Sequence, residues 1–246
     1  MKYLDKLVNI LKKGPISYSK LNDILEQNET FFSSTKLEIE LLLSNGLPLY
    51  FKDDMVYLST TTKKIEDQVF CVVDIETTAS NVKKGQLLEI GAVKVKNGKI
   101  IEQYESLVTT YNIPQKVQEI TGITNDMTLG APNEKEVLEE FKIFLEDDIF
   151  VAHNISFDYK FINDCFVKYD LGQLCNRKIC TIDLAHKVIK AERYGLKYLK
   201  EQFNIDIQNH HRALSDALST VEIFKISLDK LPKNITTTEE LIRYSK

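Results

Sequence analysis

The sequence predicts an α/β chain: a mixed β-sheet covered by helices, preceded by a small helical unit that ends in a hairpin. Three observations predict it. Apolar runs at 69–73, 87–95 and 100–108 read as consecutive strands, the last two joined by Asn97-Gly98, a two-residue hairpin turn. Helical periodicity and short apolar strands then alternate as far as residue 230, which extends a hairpin meander into a mixed sheet. The first 66 residues have a different rhythm, with three short helices and one hairpin.

In order, Leu4, Leu7, Val8 and Leu11 fall at i, i+3, i+4 and i+7 and make one apolar helix face, stopped by Gly14-Pro15. Leu21, Ile24 and Leu25 mark a second helix. Thr35 and Glu38 frame a capping box for a third, which runs through Leu43 and stops at Asn45-Gly46. Residues 49–51 and 55–58 flank Lys52, Asp53 and Asp54 as a hairpin. Three helices followed by a hairpin is the winged-helix order, so residues 1–66 are expected to form a winged-helix-like α+β domain. Its third helix sets Lys36 against Glu38 and Glu40, a poor surface for phosphates, so protein docking or simple packing is expected ahead of duplex binding. The polar stretch 60–64 reads as a linker. Val69 to Val73 is a nearly continuous apolar run, as in a buried strand, and it ends at Asp74. Helices are expected at 134–145, 156–169, 182–189, 196–203 and 213–230, with strands at 149–152 and near 178–180. Residues 67–232 are thus the main domain, and 233–246 a short C-terminal tail in which Thr236 and Glu239 frame a capping box for one short helix.

Composition narrows the function classes. The chain is 43% apolar and 28% charged, with 9 Gly and 5 Pro, which excludes collagen-like, low-complexity and wholly disordered chains. No apolar run reaches the roughly 18 residues of a membrane span. Asp5, Lys6 and Asn9 interrupt the N-terminal apolar pattern, so no secretory signal is expected. A cytoplasmic protein without a membrane partner follows as the expectation. Formal net charge is −4: residues 1–66 hold 9 basic and 9 acidic side chains, the remainder 23 and 27. A nucleic-acid binder that works by bulk electrostatics is basic, so any nucleic acid must be held here locally or through metal ions. Cys71, Cys165, Cys175 and Cys180 form no CxxC and have no His at zinc-finger spacing, which predicts reduced and mostly buried thiols.

Four acids and a histidine stand out by where they fall. Asp74 and Glu76 sit in VVDIETT, at the end of an apolar strand, and alternate residues of a strand share a face. Two close, half-buried carboxylates repel, and a divalent cation removes that penalty; oxygen donors select magnesium or manganese over zinc or copper. Thr77 and Thr78 follow at once, where backbone N–H groups and hydroxyls could meet a substrate. In AHNISFDYKFI, a short strand delivers His153 and Asn154, and Asp158 falls in the first helical turn beside Phe157, where the helix dipole also favours an acid. Asn154 could cap that helix or hydrogen-bond a phosphate. In HHRALSDA, Asp216 lies on the last long helix, with His211 five residues earlier; spacing to Asp216 favours His211 over its neighbour His210.

These three motifs, in this order, resemble the DEDDh family of 3′–5′ exonucleases, the group that contains the proofreading epsilon subunit of bacterial DNA polymerase III. LLEIGAVKV, EITGIT, GAP, CTIDLA and GLKYLKEQFNI resemble their counterparts there as well, and the likeness covers residues 67–230, about two thirds of the chain. The resemblance implies a ribonuclease H-like fold, a mixed five-stranded sheet with helices on both sides. It implies that Asp74, Glu76, Asp158 and Asp216 ligate two Mg2+ or Mn2+ ions and that His211 is the general base. It also implies that His153, Asn154, Phe157 and the Thr77-Thr78 segment line the groove for the terminal nucleotides. The expected activity is metal-dependent removal of nucleoside 5′-monophosphates from single-stranded or frayed DNA 3′ ends, in proofreading during replication or in repair.

Two other readings stay open at this point. One is an RNA exonuclease resembling oligoribonuclease or RNase T, since sugar choice depends on contacts to the 2′-OH. The other is a subunit that chiefly docks a DNA polymerase through residues 1–66. Residues 231–246 carry no convincing clamp-binding motif, where the family commonly has a polymerase-binding tail after the exonuclease.

Overall fold

A computed structural model describes residues 2–26, 35–207 and 211–246. The first unit runs α1 (Lys2–Leu11), β1 (Ile16–Ser17), α2 (Tyr18–Glu26), α3 (Thr35–Ser44), β2 (Leu49–Lys52) and β3 (Met55–Leu58). The two-residue strand β1 has no counterpart in the sequence pattern; it pairs antiparallel with β3 and makes the hairpin a three-stranded sheet of order β1-β3-β2. Leu7, Leu11, Leu21, Leu25, Leu47, Val56 and Leu58 form its core, so the apolar stripes of the helices meet the inner face of the hairpin.

The larger body follows as β4 (Val69–Thr77), β5 (Leu87–Lys96), β6 (Lys99–Leu107), α4 (Gln115–Thr121), α5 (Asn125–Thr128), α6 (Glu134–Leu145), β7 (Ile149–Ala152), α7 (Ile155–Lys168), β8 (Lys178–Cys180), α8 (Thr181–Val188), α9 (Leu196–Phe203), α10 (Ala213–Asp229) and α11 (Thr238–Tyr244). Its sheet has five strands in the order β6-β5-β4-β7-β8. The β4–β5 and β5–β6 pairs are antiparallel, whereas β4–β7 and β7–β8 are parallel, so the sheet is mixed as the sequence predicts. The alternation along β4 divides the core. Cys71, Val73 and Ile75 pack with α6 and α7 on one face; Phe70 and Val72 pack with Ala217, Val221 and Phe224 of α10 on the other. Asp74 and Glu76 therefore point toward the α10 side.

Several expectations need correction. The stretch 60–64 is no loose linker: Thr60 is buried and donates to Glu239 Oε2 at 2.7 Å, and Lys64 bridges to Thr237. Residues 233–246, expected as a short C-terminal tail with one helix, carry α11, and Leu241 and Ile242 are buried in the α10-side core. The terminal capping box sits one residue later than expected, on Thr237 and Glu240. Glu239 is turned inward, where it pairs with Arg177 at 2.6 Å, and so it is taken from the helix cap. The start of α3 adjoins residues outside the described set; Glu38, expected as an exposed cap partner, is buried. The helices α4 and α5 go unpredicted, being too short to show a period. All four cysteines are free, three buried and Cys180 half-buried.

The two apolar bodies meet along a seam. Lys142 Nζ donates to Asn45 Oδ1 at 2.8 Å, and the Cys175 N–H donates to the Asn45 carbonyl at 2.8 Å. A methyl on Gly46 would lie 2.2 Å from Asn176 Oδ1, and one on Gly172 would lie 2.5 Å from Asn45 Oδ1. Both glycines also hold positive φ, +87° and +92°, where other residues are strained.

Candidate active site

The strand β4 runs on to Thr77, so Asp74 and Glu76 belong to the pairing part of the sheet and not to a loop after it. Asp74 lies opposite Gly91 of β5, and Glu76 opposite Glu89. Gly91 explains how a third acid arrives. A Cβ there would sit 2.2 Å from Leu214 N and 2.4 Å from the Ala213 carbonyl carbon, so only glycine lets the start of α10 lie on the sheet beside Asp74. That first turn carries Asp216. The fourth acid, Asp158, comes from the first turn of α7 in the opposite layer, delivered by the parallel strand β7.

Electrostatics report the convergence. Burial pushes the Asp74 carboxyl well above the usual range, and the charges of Asp158, Asp216, Glu76 and Glu89 push it further. Glu76 rises to about 8, by burial first and then through Asp216, Glu89 and Asp158, with Arg212 pulling against them. Asp158 rises to about 7 by burial, while the backbone N–H groups of Asp158 and Ile75 hold it back. Ligand atoms of Glu76, His211 and Asp216 lie within 4.8 Å of one another. Asp74 and Asp158 lie outside that group but within reach of its charge, and mutually repelling carboxylates of this kind fit a divalent cation. His211 is exposed at φ +62°, and its N–H donates to Asp216 Oδ2 at 3.1 Å. His210 lies outside the described residues.

The residues expected to line a groove are placed as follows. His153 is half-buried, and its Nδ1 lies 2.8 Å from Thr181 Oγ1. Burial lowers its pKa to about 4, so the ring is neutral at pH 7. Asn154 takes the left-handed conformation, φ +73°, and makes no side-chain cap to α7; its Oδ1 accepts from Ser156 Oγ at 3.0 Å. Phe157 is partly buried against the α7-side core and tilts against Phe161, centroids 5.9 Å apart. Thr77 and Thr78 spend their hydroxyls on the loop: Thr77 donates to the Ala79 carbonyl at 2.9 Å, and Thr78 accepts the Gln86 N–H at 2.9 Å.

Sequence reasoning missed Glu89, Gly91 and Arg212 as parts of the site. Glu89 is fully buried and accepts from Arg212 Nε at 2.9 Å and Nη2 at 2.6 Å. The available signal was a charged residue and a glycine inside LLEIGAVKV, an otherwise apolar strand.

Comparison with known proteins agrees with this architecture. The family model described as Exonuclease (RNase T) matches residues 71–224. The chain is 40% identical over 167 residues to the DNA polymerase III subunit epsilon of Aquifex aeolicus, covering 67% of this chain and 83% of that protein. It is 35% identical over 187 residues to the PolC-type DNA polymerase III of Staphylococcus haemolyticus, covering 75% of this chain but 12% of that much longer protein. Among solved structures, the E. coli ExoI–ssDNA complex in its zinc-bound form superposes with a TM-score of 0.61 at 18% identity, over 68% of this chain and 42% of that one. Exonuclease X bound to 5′-overhanging duplex DNA superposes at 0.54 with 24% identity, over 72% of this chain and 99% of that one. These two likenesses show a shared fold. Together with the three motifs and the carboxylate geometry, the matched family model and the epsilon-subunit identity establish that the chain belongs to the exonuclease family, within its DEDDh group of 3′–5′ exonucleases.

Proposed function

We propose that this protein is a metal-dependent 3′–5′ exonuclease that removes nucleoside 5′-monophosphates from single-stranded or frayed DNA ends, serving proofreading or repair in the cytoplasm. The observation that carries the reading is the grouping of Glu76, His211 and Asp216 within 4.8 Å of one another, with Asp74 and Asp158 close enough for their charges to act on it. Two Mg2+ or Mn2+ ions would be held by those four carboxylates; when bound, such ions supply Lewis acidity toward the phosphodiester and neutralise charge. His211, grouped with Glu76 and Asp216, takes the proton of the attacking water as general base. Its exposed position leaves it room to reach that water. His153, neutral at pH 7 and tied to Thr181 through Nδ1, lines the groove for the terminal nucleotide without adding charge to it. Asn154 and Phe157 flank it at the start of α7, and Thr77 and Thr78 shape the opposite wall through the loop their hydroxyls brace.

An acidic protein can hold an anionic strand because the cations neutralise both partners. A mispaired end frays at lower cost than a paired one, and so it reaches the carboxylates sooner. Relatives named DNA polymerase III subunit epsilon and DNA polymerase III PolC-type favour DNA as substrate and a polymerase as partner. Residues 1–66, which we read as a winged-helix-like unit, are the candidate dock, with 67–232 as the exonuclease unit and 233–246 packed against it. Free thiols at every cysteine suit a reducing compartment.

The test is digestion of 3′-labelled single-stranded DNA with magnesium, with products identified by chromatography and a matched RNA oligonucleotide run in parallel. Asp74→Ala should abolish release of the labelled monophosphate while leaving the fold intact; an unimpaired rate overturns the site. His211→Ala should lose about 10²–10⁴-fold in rate, far more than His210→Ala, and the reverse ranking moves the base to His210.

A further inference from the structure

We infer that Glu89 and Arg212 are positioning residues whose ion pair fixes the backbone on which His211 stands. Glu89 is a charged side chain at 0% exposure in the middle of a sheet, directly across from Glu76. Burial of that kind is costly unless the charge is paired and its remaining lone pairs are filled. Among the described residues, the groups that hydrogen-bond Glu89 belong to one segment. Arg212 grips Oε1 through Nε at 2.9 Å and Nη2 at 2.6 Å, and the Ala213 N–H fills Oε2 at 2.8 Å. The second contact caps the first turn of α10 from outside the helix, where an acid is favoured. Arg212 Nη2 also lies 3.5 Å from Glu105 of β6, so the guanidinium spans two strands.

Next to this anchor stands His211, in the left-handed region at φ +62°, with its N–H on Asp216 Oδ2. His211 is thus pinned on both sides, by Arg212 in sequence and by Asp216 in space. The anchor is rigid because Gly91 lets the helix start rest on the strand itself. Arg212 has a further effect in the same place: it gives Glu89 a counter-charge, so a fifth carboxylate does not stand uncompensated beside the four.

This inference rests on His211 being the base, and the test separates the two claims. Wild type, Arg212→Gln, His211→Ala and the double variant are compared on 3′-labelled single-stranded DNA with magnesium, for kcat, KM and thermal midpoint. Because Arg212→Gln leaves Glu89 buried and unpaired, Glu89→Gln/Arg212→Gln is run beside it, with no buried charge left over. In the His211 background, kcat should fall about 10–100-fold with KM within about twofold. In the His211→Ala background, the same substitutions should change kcat by less than about twofold, since groups that act as one unit are non-additive. An equal fold-loss in both backgrounds, or a loss lodged in KM, overturns the positioning role and leaves the base assignment standing. A His211→Ala enzyme with wild-type kcat overturns both.

Discussion

At the scale of single residues, the site is a set of acids that the fold alone holds at a disadvantage. Glu76 at about 8 and Asp158 at about 7 keep protons in the folded, metal-free protein that the unfolded chain has already released. Their folded pKa values are raised, so their contribution to stability is complete below the unfolded carboxylate range and is lost as pH rises toward about 8. His153, lowered to about 4, acts in the opposite sense below its ordinary value of 6.5. The clean window is therefore about pH 6.5 to 8. In EDTA, the thermal midpoint should fall by several degrees across that window, and excess Mn2+ should flatten the slope by binding the ionised form. A midpoint that rises in EDTA over that range contradicts the described packing of these acids. Asp74 and Glu76 stood out in the sequence because charge at the end of an apolar run is anomalous, whereas Asp158 and Asp216, on helices, were singled out by their motifs. Glu89 was equally anomalous, but its partner Arg212 lies 123 residues away, and pairing over such a distance leaves no local mark.

At the scale of elements, strand and helix identities were legible wherever a period could be read. β5, β6, α6 and α10 lie within a residue or two of expectation. What failed was short or contextual. β1 exists only because β3 supplies partners, and the cap of α11 falls one residue late because Glu239, the expected cap partner, is drawn to Arg177. The contact between β5 and α10 is the element-scale fact with the largest consequence. Gly91→Ala should cost about 1–3 kcal/mol and slow turnover about 10–100-fold, since the helix start must lift from the strand and take Asp216 with it. Melting and steady-state rates on the same samples check both, with Gly195→Ala as the control, where the new methyl meets nothing nearer than 3.5 Å. Equal behaviour of the two variants would show that α10 tolerates a lifted start.

At the scale of the whole molecule, the mixed sheet and its flanking helices followed from the order of periods along the chain. The seam between the first unit and the larger body did not, because its parts are two glycine turns, a lysine and a cysteine N–H that carry no shared pattern. Polar side chains extend it. Glu239 receives Thr60 at 2.7 Å and Arg177 at 2.6 Å, and Lys12 approaches it at 3.9 Å, so three distant stretches of chain meet on one carboxylate. The mount formed by Gly46 and Gly172 has a mechanical consequence: the covalent tether carries little of the load. With a protease site inserted after Thr62 and cleaved, the two fragments should still elute together on gel filtration and keep their nuclease rate. The first unit is then clamped in place by its seam and not by its leash; fragments that drift apart on cleavage would mean the stretch between them was the real hinge pin.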